Sequence, residues 1–257
     1  MVFNRLFHAW RWLGTAFSFL VFGLGGILLP VFVVPALYVL PGDRLVRERR
    51  AQKVIHHSFR FYIGMMKFLG VLNYDVIGLE KLKDAKLILA NHPSLIDVIF
   101  LISMVPNANC VVKGKLARSL FTKGPIRAAG YIINDDQALD VIDAAKEAFD
   151  KGHALIVFPE GTRTTPGQLP VLKRGAANVA VRAEADITPV IIECNPTTLT
   201  KSDRWYQVPS KQVRFRIEVK DCIGVENYLP DTTPSKSARR LTRDLSNYFN
   251  KELGFNE

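Results

Sequence analysis

The sequence has little cysteine, and it has no charge where it is most apolar. Its three cysteines, Cys110, Cys194 and Cys222, stand far apart and form no CxxC pair. That spacing offers neither a metal ribbon nor a disulfide framework, and it reads as reduced thiols in a cytosolic compartment. No GxSxG elbow is present, which removes the usual support for a serine hydrolase. Internal repeats and low-complexity linkers are also missing. Acidic residues are the minority, 24 against 34 basic, giving a formal net charge of +10. A basic excess points to an anionic partner: nucleic acid, a lipid surface or a phosphorylated substrate. A chain of 257 residues is long enough for one sizeable α/β domain with an appendage, and too short for two large domains.

From Trp12 to Leu40 no charged residue occurs. A straight helix of that length reaches about 44 Å at 1.5 Å per residue. The hydrocarbon core of a bilayer is only about 30 Å thick. Gly23, Gly25, Gly26, Pro30 and Pro35 interrupt the run, and each weakens or kinks a helix. Arginines flank both ends, Arg5 and Arg11 before it and Arg44, Arg47, Arg49 and Arg50 after it. Because positive flanks favour the cytoplasmic side, the expectation is a re-entrant hairpin of two half-depth helices turning near Gly25 to Pro30. A single tilted span is the alternative. Residues 44–70 mix Arg and Lys with Val46, Ile55, Phe59, Phe61, Ile63, Met65 and Phe68. They read as a basic amphipathic helix on an anionic membrane surface, or as a surface helix covering the core. The division expected is a membrane-anchoring segment over 1–70 and an α/β domain over 71–257, at the inner or cytoplasmic membrane with the domain on the cytoplasmic side.

Beyond residue 70 the pattern alternates. Strands are expected at Tyr74 to Ile77, Leu87 to Ala90, Asn109 to Val112, Ala154 to Phe158, Ile187 to Glu193 and Val213 to Val219. Helical stretches fall at 95–104, 137–151 and 173–185, and a basic amphipathic helix at 235–253. Alternation of this kind predicts an α/β fold with a mostly parallel or mixed sheet flanked by helices. Active sites of such sheets sit at the carboxyl ends of the strands.

Two constellations lie at such ends. Asn91-His92-Pro93-Ser94-Leu95-Ile96-Asp97 follows the strand KLILA. His92 with Asp97 nearby is a general-base pair, the carboxylate fixing the tautomer and stabilising the imidazolium. A bound alcohol deprotonated by His92 could attack a thioester directly, with no serine nucleophile. The plainer reading is that His92 caps a helix and Asp97 completes its first turn. Phe158-Pro159-Glu160-Gly161-Thr162-Arg163 follows the strand ALIV. Gly161 permits a tight turn, and Arg163 offers a planar fork to a phosphate. Glu160 can accept a hydrogen bond from a glycerol hydroxyl, or it can orient Arg163. Lys173, Arg174 and Gly175 open the next helix, whose N-terminus favours anions. The plainer reading here is a solvated loop with a surface ion pair.

Taken together, NHPSLID and FPEGTR resemble the first and third motifs of the glycerolipid acyltransferase family, that of 1-acylglycerol-3-phosphate acyltransferases. The resemblance covers roughly residues 70–195. It implies His92 as general base, Asp97 as its partner, and Glu160, Gly161, Thr162, Arg163 and Lys173 around the acyl acceptor. It further implies an acyl-CoA or acyl carrier protein donor, a lysophospholipid acceptor, membrane lipids as partners, and neither metal nor prosthetic cofactor. Nucleic acid is not expected. The family's second motif, Gly followed six residues later by Arg, is met at Gly130 by Asp136, an acid in place of the cation. The fourth, a Pro-containing hydrophobic strand, is approximated by Ile187 to Ile192. Asp136 keeps a different acceptor in play, such as a lyso-aminolipid or a specialised hydroxylated lipid. A lipid thioester hydrolase and a non-catalytic lipid-binding protein are the remaining rivals.

Overall fold

The computed structural model describes residues 2–135, 138–229 and 233–255. Asp136, which stands where the family has its second-motif Arg, lies outside the described residues. Seven strands form one sheet in the order β1-β7-β6-β2-β5-β3-β4. They are β1 (Leu72–Ile77), β2 (Leu87–Ala90), β3 (Ala108–Lys113), β4 (Ile132–Asn134), β5 (Ala154–Val157), β6 (Ile187–Asn195) and β7 (Val213–Val219). All neighbours pair in parallel except β6 and β7, so the sheet is mixed. The central strand β2 is buried on both faces from Leu87 to Ala90, which its unbroken apolar sequence requires.

Helices cover both faces. On one lie α3 (Arg44–Phe68) and α4 (Asp97–Met104), packed over a core that includes Phe100, Phe215 and Ile88. On the other lie α7 (Ala138–Asp150), α8 (Arg174–Arg182) and α9 (Pro234–Glu252), around Leu155, Ile187 and Phe249. Two short helices, α5 (Gly114–Arg118) and α6 (Lys123–Ala128), join β3 to β4. These helices and β4 were not expected from the sequence.

The N-terminal segment corrects one expectation. No turn occurs at Gly25 to Pro30. The helix α1 (Val2–Leu28) passes through a π-helical turn at Leu29–Val33 into α2 (Val34–Val39). Leu28 and Val33, at the joints, keep right-handed helical dihedrals. The wider π turn gives the ring of Pro30 room that an α turn denies it. The chain reverses instead at Leu40–Asp43, where Gly42 takes φ 143° and the Asp43 side chain caps α3 by accepting from Val46 N. The hairpin is therefore α1 and α2 against α3.

One stripe of α1 docks on the domain. Gly14, Thr15 and Ser18 are buried, and a Cβ on Gly14 would sit 2.9 Å from Val71. Trp10 Nε1 donates to Leu69 O at 2.8 Å, and Phe22 packs on Tyr62 of α3. Farther along, Pro30 meets Gly124 of α6. The opposite stripe, with Phe7, Leu13, Phe17, Leu20, Leu24 and Phe32, is exposed and apolar. The stretch Arg5–Val39 is long and apolar enough to cross a membrane.

Candidate active site

The first loop is held by side chains that look inward. Past the end of β2, Asn91 continues the ladder: its Nδ2 donates to Ile192 O at 2.8 Å, and its Oδ1 accepts from Ile192 N at 2.7 Å. This pins the residue before His92 to β6. The chain then turns sharply, and Asp97 begins α4 with its side chain wholly buried. Asp97 Oδ2 accepts from His92 Nδ1 at 2.9 Å and from Ser94 N at 2.7 Å. With Nδ1 donating, Nε2 is the ring atom left to act as a base. The imidazole stacks on Phe158, with ring centroids 4.2 Å apart, and keeps 17% of its side-chain surface open. Burial pushes the Asp97 carboxyl up to about 6, against the lowering effect of His92 and the Ser94 amide.

The second loop reaches under the first. Glu160 is 5% exposed, and its Oε1 accepts from His92 N at 3.0 Å and from Thr164 Oγ1 at 2.7 Å. Burial raises its pKa, and those two hydrogen bonds oppose the rise. Thr164 closes the junction, donating its backbone N–H to His92 O at 2.7 Å. Its Oγ1 also lies 3.3 Å from His92 N, which donates to it. Glu160 thus faces the backbone of the histidine loop rather than open solvent.

Arg163 Nη1 donates to Leu199 O and Thr200 O, both at 2.7 Å. Among the described residues its Nε and Nη2 make no hydrogen bond, so that edge stays free for a ligand. Gly161 has φ 66°, and a Cβ there would come within 3.2 Å of Lys173 Nζ, so the Lys173 side chain lies along the loop backbone. Thr162 is exposed beside them. All seven residues singled out from the sequence therefore come to the two loops at the carboxyl ends of β2 and β5. Sequence reasoning missed Thr164, although it directly follows the FPEGTR string, and gave no task to Asn91, Ser94 or Phe158.

An apolar cavity of about 340 Å³ lies between α1, α3, α4 and the sheet. Leu95, Ile96 and Leu199 place it beside the histidine loop, and Phe19, Phe22 and Tyr62 form its far wall. Among the described residues, no cluster of three His, Cys, Asp or Glu is placed to hold a metal ion.

Residues 73–193 match the Acyltransferase family. A Helicobacter pylori 1-acyl-sn-glycerol-3-phosphate acyltransferase is 33% identical over 127 residues, 45% of this chain and 53% of the relative. The alpha form of that enzyme from Mus musculus is 28% identical over 201 residues, 74% of this chain and 68% of its own length. A Caenorhabditis elegans relative, acl-2, is 32% identical over 186 residues, 69% of this chain. The chain spans 63% of acl-2 and 53% of the Helicobacter protein. The crystal structure of PlsC, the 1-acyl-sn-glycerophosphate acyltransferase of Thermotoga maritima, shares the fold. Its TM-score is 0.68 at 19% identity, covering 96% of this chain and 99% of that one.

Proposed function

We propose that this chain is a glycerolipid acyltransferase that acylates 1-acyl-sn-glycerol 3-phosphate to phosphatidate; the match of residues 73–193 to the Acyltransferase family and the likeness to 1-acyl-sn-glycerol-3-phosphate acyltransferases support this reading. The donor is a fatty acyl thioester, acyl-CoA or acyl carrier protein. The observation that carries this reading is the 2.9 Å bond from His92 Nδ1 to buried Asp97, which leaves Nε2 as a base beside an apolar cavity.

His92 Nε2 takes the proton of the acceptor hydroxyl as its oxygen attacks the thioester carbonyl. Asp97 holds the tautomer and stabilises the imidazolium that forms. When the tetrahedral adduct collapses, the C–S bond breaks, and the leaving thiolate takes the proton from Nε2. The free edge of Arg163 and the Lys173 ammonium bind the acceptor phosphate, the former as a planar fork and the latter as a point charge. Glu160 keeps the histidine loop in place through the His92 amide. The apolar cavity receives an acyl chain. The outer stripe of α1 rests in the lipid interface with the domain on the cytoplasmic side. A helical stretch of about 57 Å, docked lengthwise, is far longer than the roughly 30 Å needed to cross.

Purified protein given labelled acyl thioester and a panel of lyso-acceptors should yield the two-chain product with 1-acyl-sn-glycerol 3-phosphate. His92→Ala should lower turnover by at least about 10²–10⁴-fold. Free fatty acid alone would mean hydrolysis, and near-normal turnover by His92→Ala would refute the base.

A further inference from the structure

The sheet has a second lined cavity at its other end. The first site follows the carboxyl end of β2. His153 precedes β5, which runs parallel to β2, so it sits at the amino ends of the same strands. There a cavity of about 560 Å³ opens between the first half of α3, the 3₁₀ turn Leu79–Leu82, the α4–β3 turn and the α7–β5 turn. Arg49, Lys53 and Lys83 line it with His153 and Gln52, and no Asp or Glu among the described residues does. The nearby Glu48 carboxylate is already engaged by Arg44 and Lys151.

The two polar groups in the wall are deeply buried, Gln52 at 1% and His153 at 3% exposure. Gln52 Nε2 donates to Ala129 O at 3.0 Å and faces His153 Nδ1 at 3.4 Å. If Nδ1 accepts, the ring proton belongs on Nε2. That nitrogen is buried without a partner, and so is Gln52 Oε1. A buried donor left unmatched is costly, so such groups in native proteins usually meet a ligand or an ordered water. Three cations line this cavity with His153, and an acid-free basic lining selects an anion. The unmatched Gln52 oxygen suits one that also carries a hydroxyl, as a singly protonated phosphate does.

We infer that this cavity is a binding site for a phosphate-bearing small anion, held by Arg49, Lys53, Lys83 and the His153 Nε2–H, and separate from the His92 site. It does not depend on the acyltransferase reading. Arg49 and Lys53 stand on α3, Lys83 just beyond the 3₁₀ turn and His153 ahead of β5, so a bound phosphate ties these segments together.

The test uses full-length protein in detergent with ¹⁵N-labelled histidine rings, titrated with inorganic phosphate at constant ionic strength. His153→Gln assigns the signal. The His153 Nε2 resonance should move saturably in the native protein and equally in His92→Gln. In Lys53→Ala/Lys83→Ala, which changes only exposed side chains, affinity should drop about 10- to 100-fold, the loss expected for charge-assisted bonds. Parallel titrations with glycerol 3-phosphate and with vesicles containing phosphatidate distinguish a soluble phosphate ester from a lipid headgroup. A His153 signal that phosphate leaves unmoved overturns the proposal. So does a shift that survives the double lysine variant or disappears in His92→Gln.

Discussion

Replacing Thr164 by Val tests how the two loops are joined. The change keeps the volume and removes one hydroxyl, which donates to Glu160 Oε1 at 2.7 Å and accepts from His92 N at 3.3 Å. The first bond is charge-assisted and shielded from water, so its loss costs about 1.5–3 kcal/mol, and the longer one adds under about 1 kcal/mol. A loss of about 2–3 kcal/mol lowers Tm by about 4–12 °C for a chain of this size. The sign with pH follows from Glu160. Its folded pKa is already raised, and losing the hydroxyl raises it further. The penalty attaches to the ionised carboxylate, so it is full at neutral pH and shrinks as pH falls into the carboxylate range. His92 keeps its bonds to Asp97 and to the Thr164 amide, yet its own amide loses an acceptor. A displacement near 1 Å in such a site costs about 100-fold, so kcat should fall about 10- to 100-fold with acceptor KM nearly unchanged. Thr164→Ser, which restores the hydroxyl, should recover most of both losses. Thermal melts at several pH values and steady-state kinetics measure all of this. Native-like Tm and kcat in Thr164→Val, or equal damage in Thr164→Ser, would refute the reasoning.

Other outcomes follow from the same geometry. Turnover should fall as pH drops through about 6, where the buried Asp97 takes its proton, even though folding stability rises on the same descent because the raised pKa makes the folded chain the better proton acceptor; an acid limb far below that value in the pH–rate profile would contradict it. Arg163→Lys should raise acceptor KM and leave donor KM nearly unchanged, since an ammonium cannot hold the carbonyls of Leu199 and Thr200 and also present a planar edge; a defect confined to the donor would count against the phosphate assignment. Phe17→Glu with Leu20→Glu, on the outer stripe of α1, should release the protein from vesicles while Tm in detergent stays within a few degrees; unchanged vesicle binding would show that this stripe does not meet lipid.

Much of this was legible from local sequence. The runs Leu87–Ala90 and Val213–Val219 were read to the residue, because apolar or alternating β-branched segments bounded by turn residues leave little choice of state. The strand β4 escaped because three residues carry no period, and its existence depends on three pairs with β3. The helix across Gly25 to Pro30 escaped for a different reason. Glycine and proline lower intrinsic helicity, but there they also let neighbours approach: Gly26 lies against Phe121, and Pro30 against Gly124. Tertiary contact outweighed propensity. The His92–Asp97 pair could be read because it closes within five residues. The bond from His92 N to Glu160 spans 68 residues and needs two parallel strands to bring its partners together, so the string alone offered Glu160 only to a glycerol hydroxyl or to Arg163.

The course of α1 has a chemical consequence for the proposed lipid substrate. Phe19 and Phe22 line the apolar cavity, while Phe17, Leu20 and Leu24 face outward on the same helix, and Phe22 itself is 43% exposed. The cavity wall and the exposed apolar stripe are therefore two sides of one helix, and Phe22 belongs to both. An acyl chain moving past Phe22 stays against apolar side chains and avoids the roughly 0.8 kcal/mol that each exposed CH₂ costs in water. Next to that helix, α3 contributes Phe59 and Tyr62, the latter packed on Phe22. His56 of the same helix bonds through Nδ1 to Ile102 O in the last turn of α4, the helix that Asp97 begins. A hairpin inserted whole into lipid would leave both the cavity and the histidine loop without this wall. Docked lengthwise, the N-terminal helices bring their exposed apolar stripe to within one side chain of the cavity beside the base.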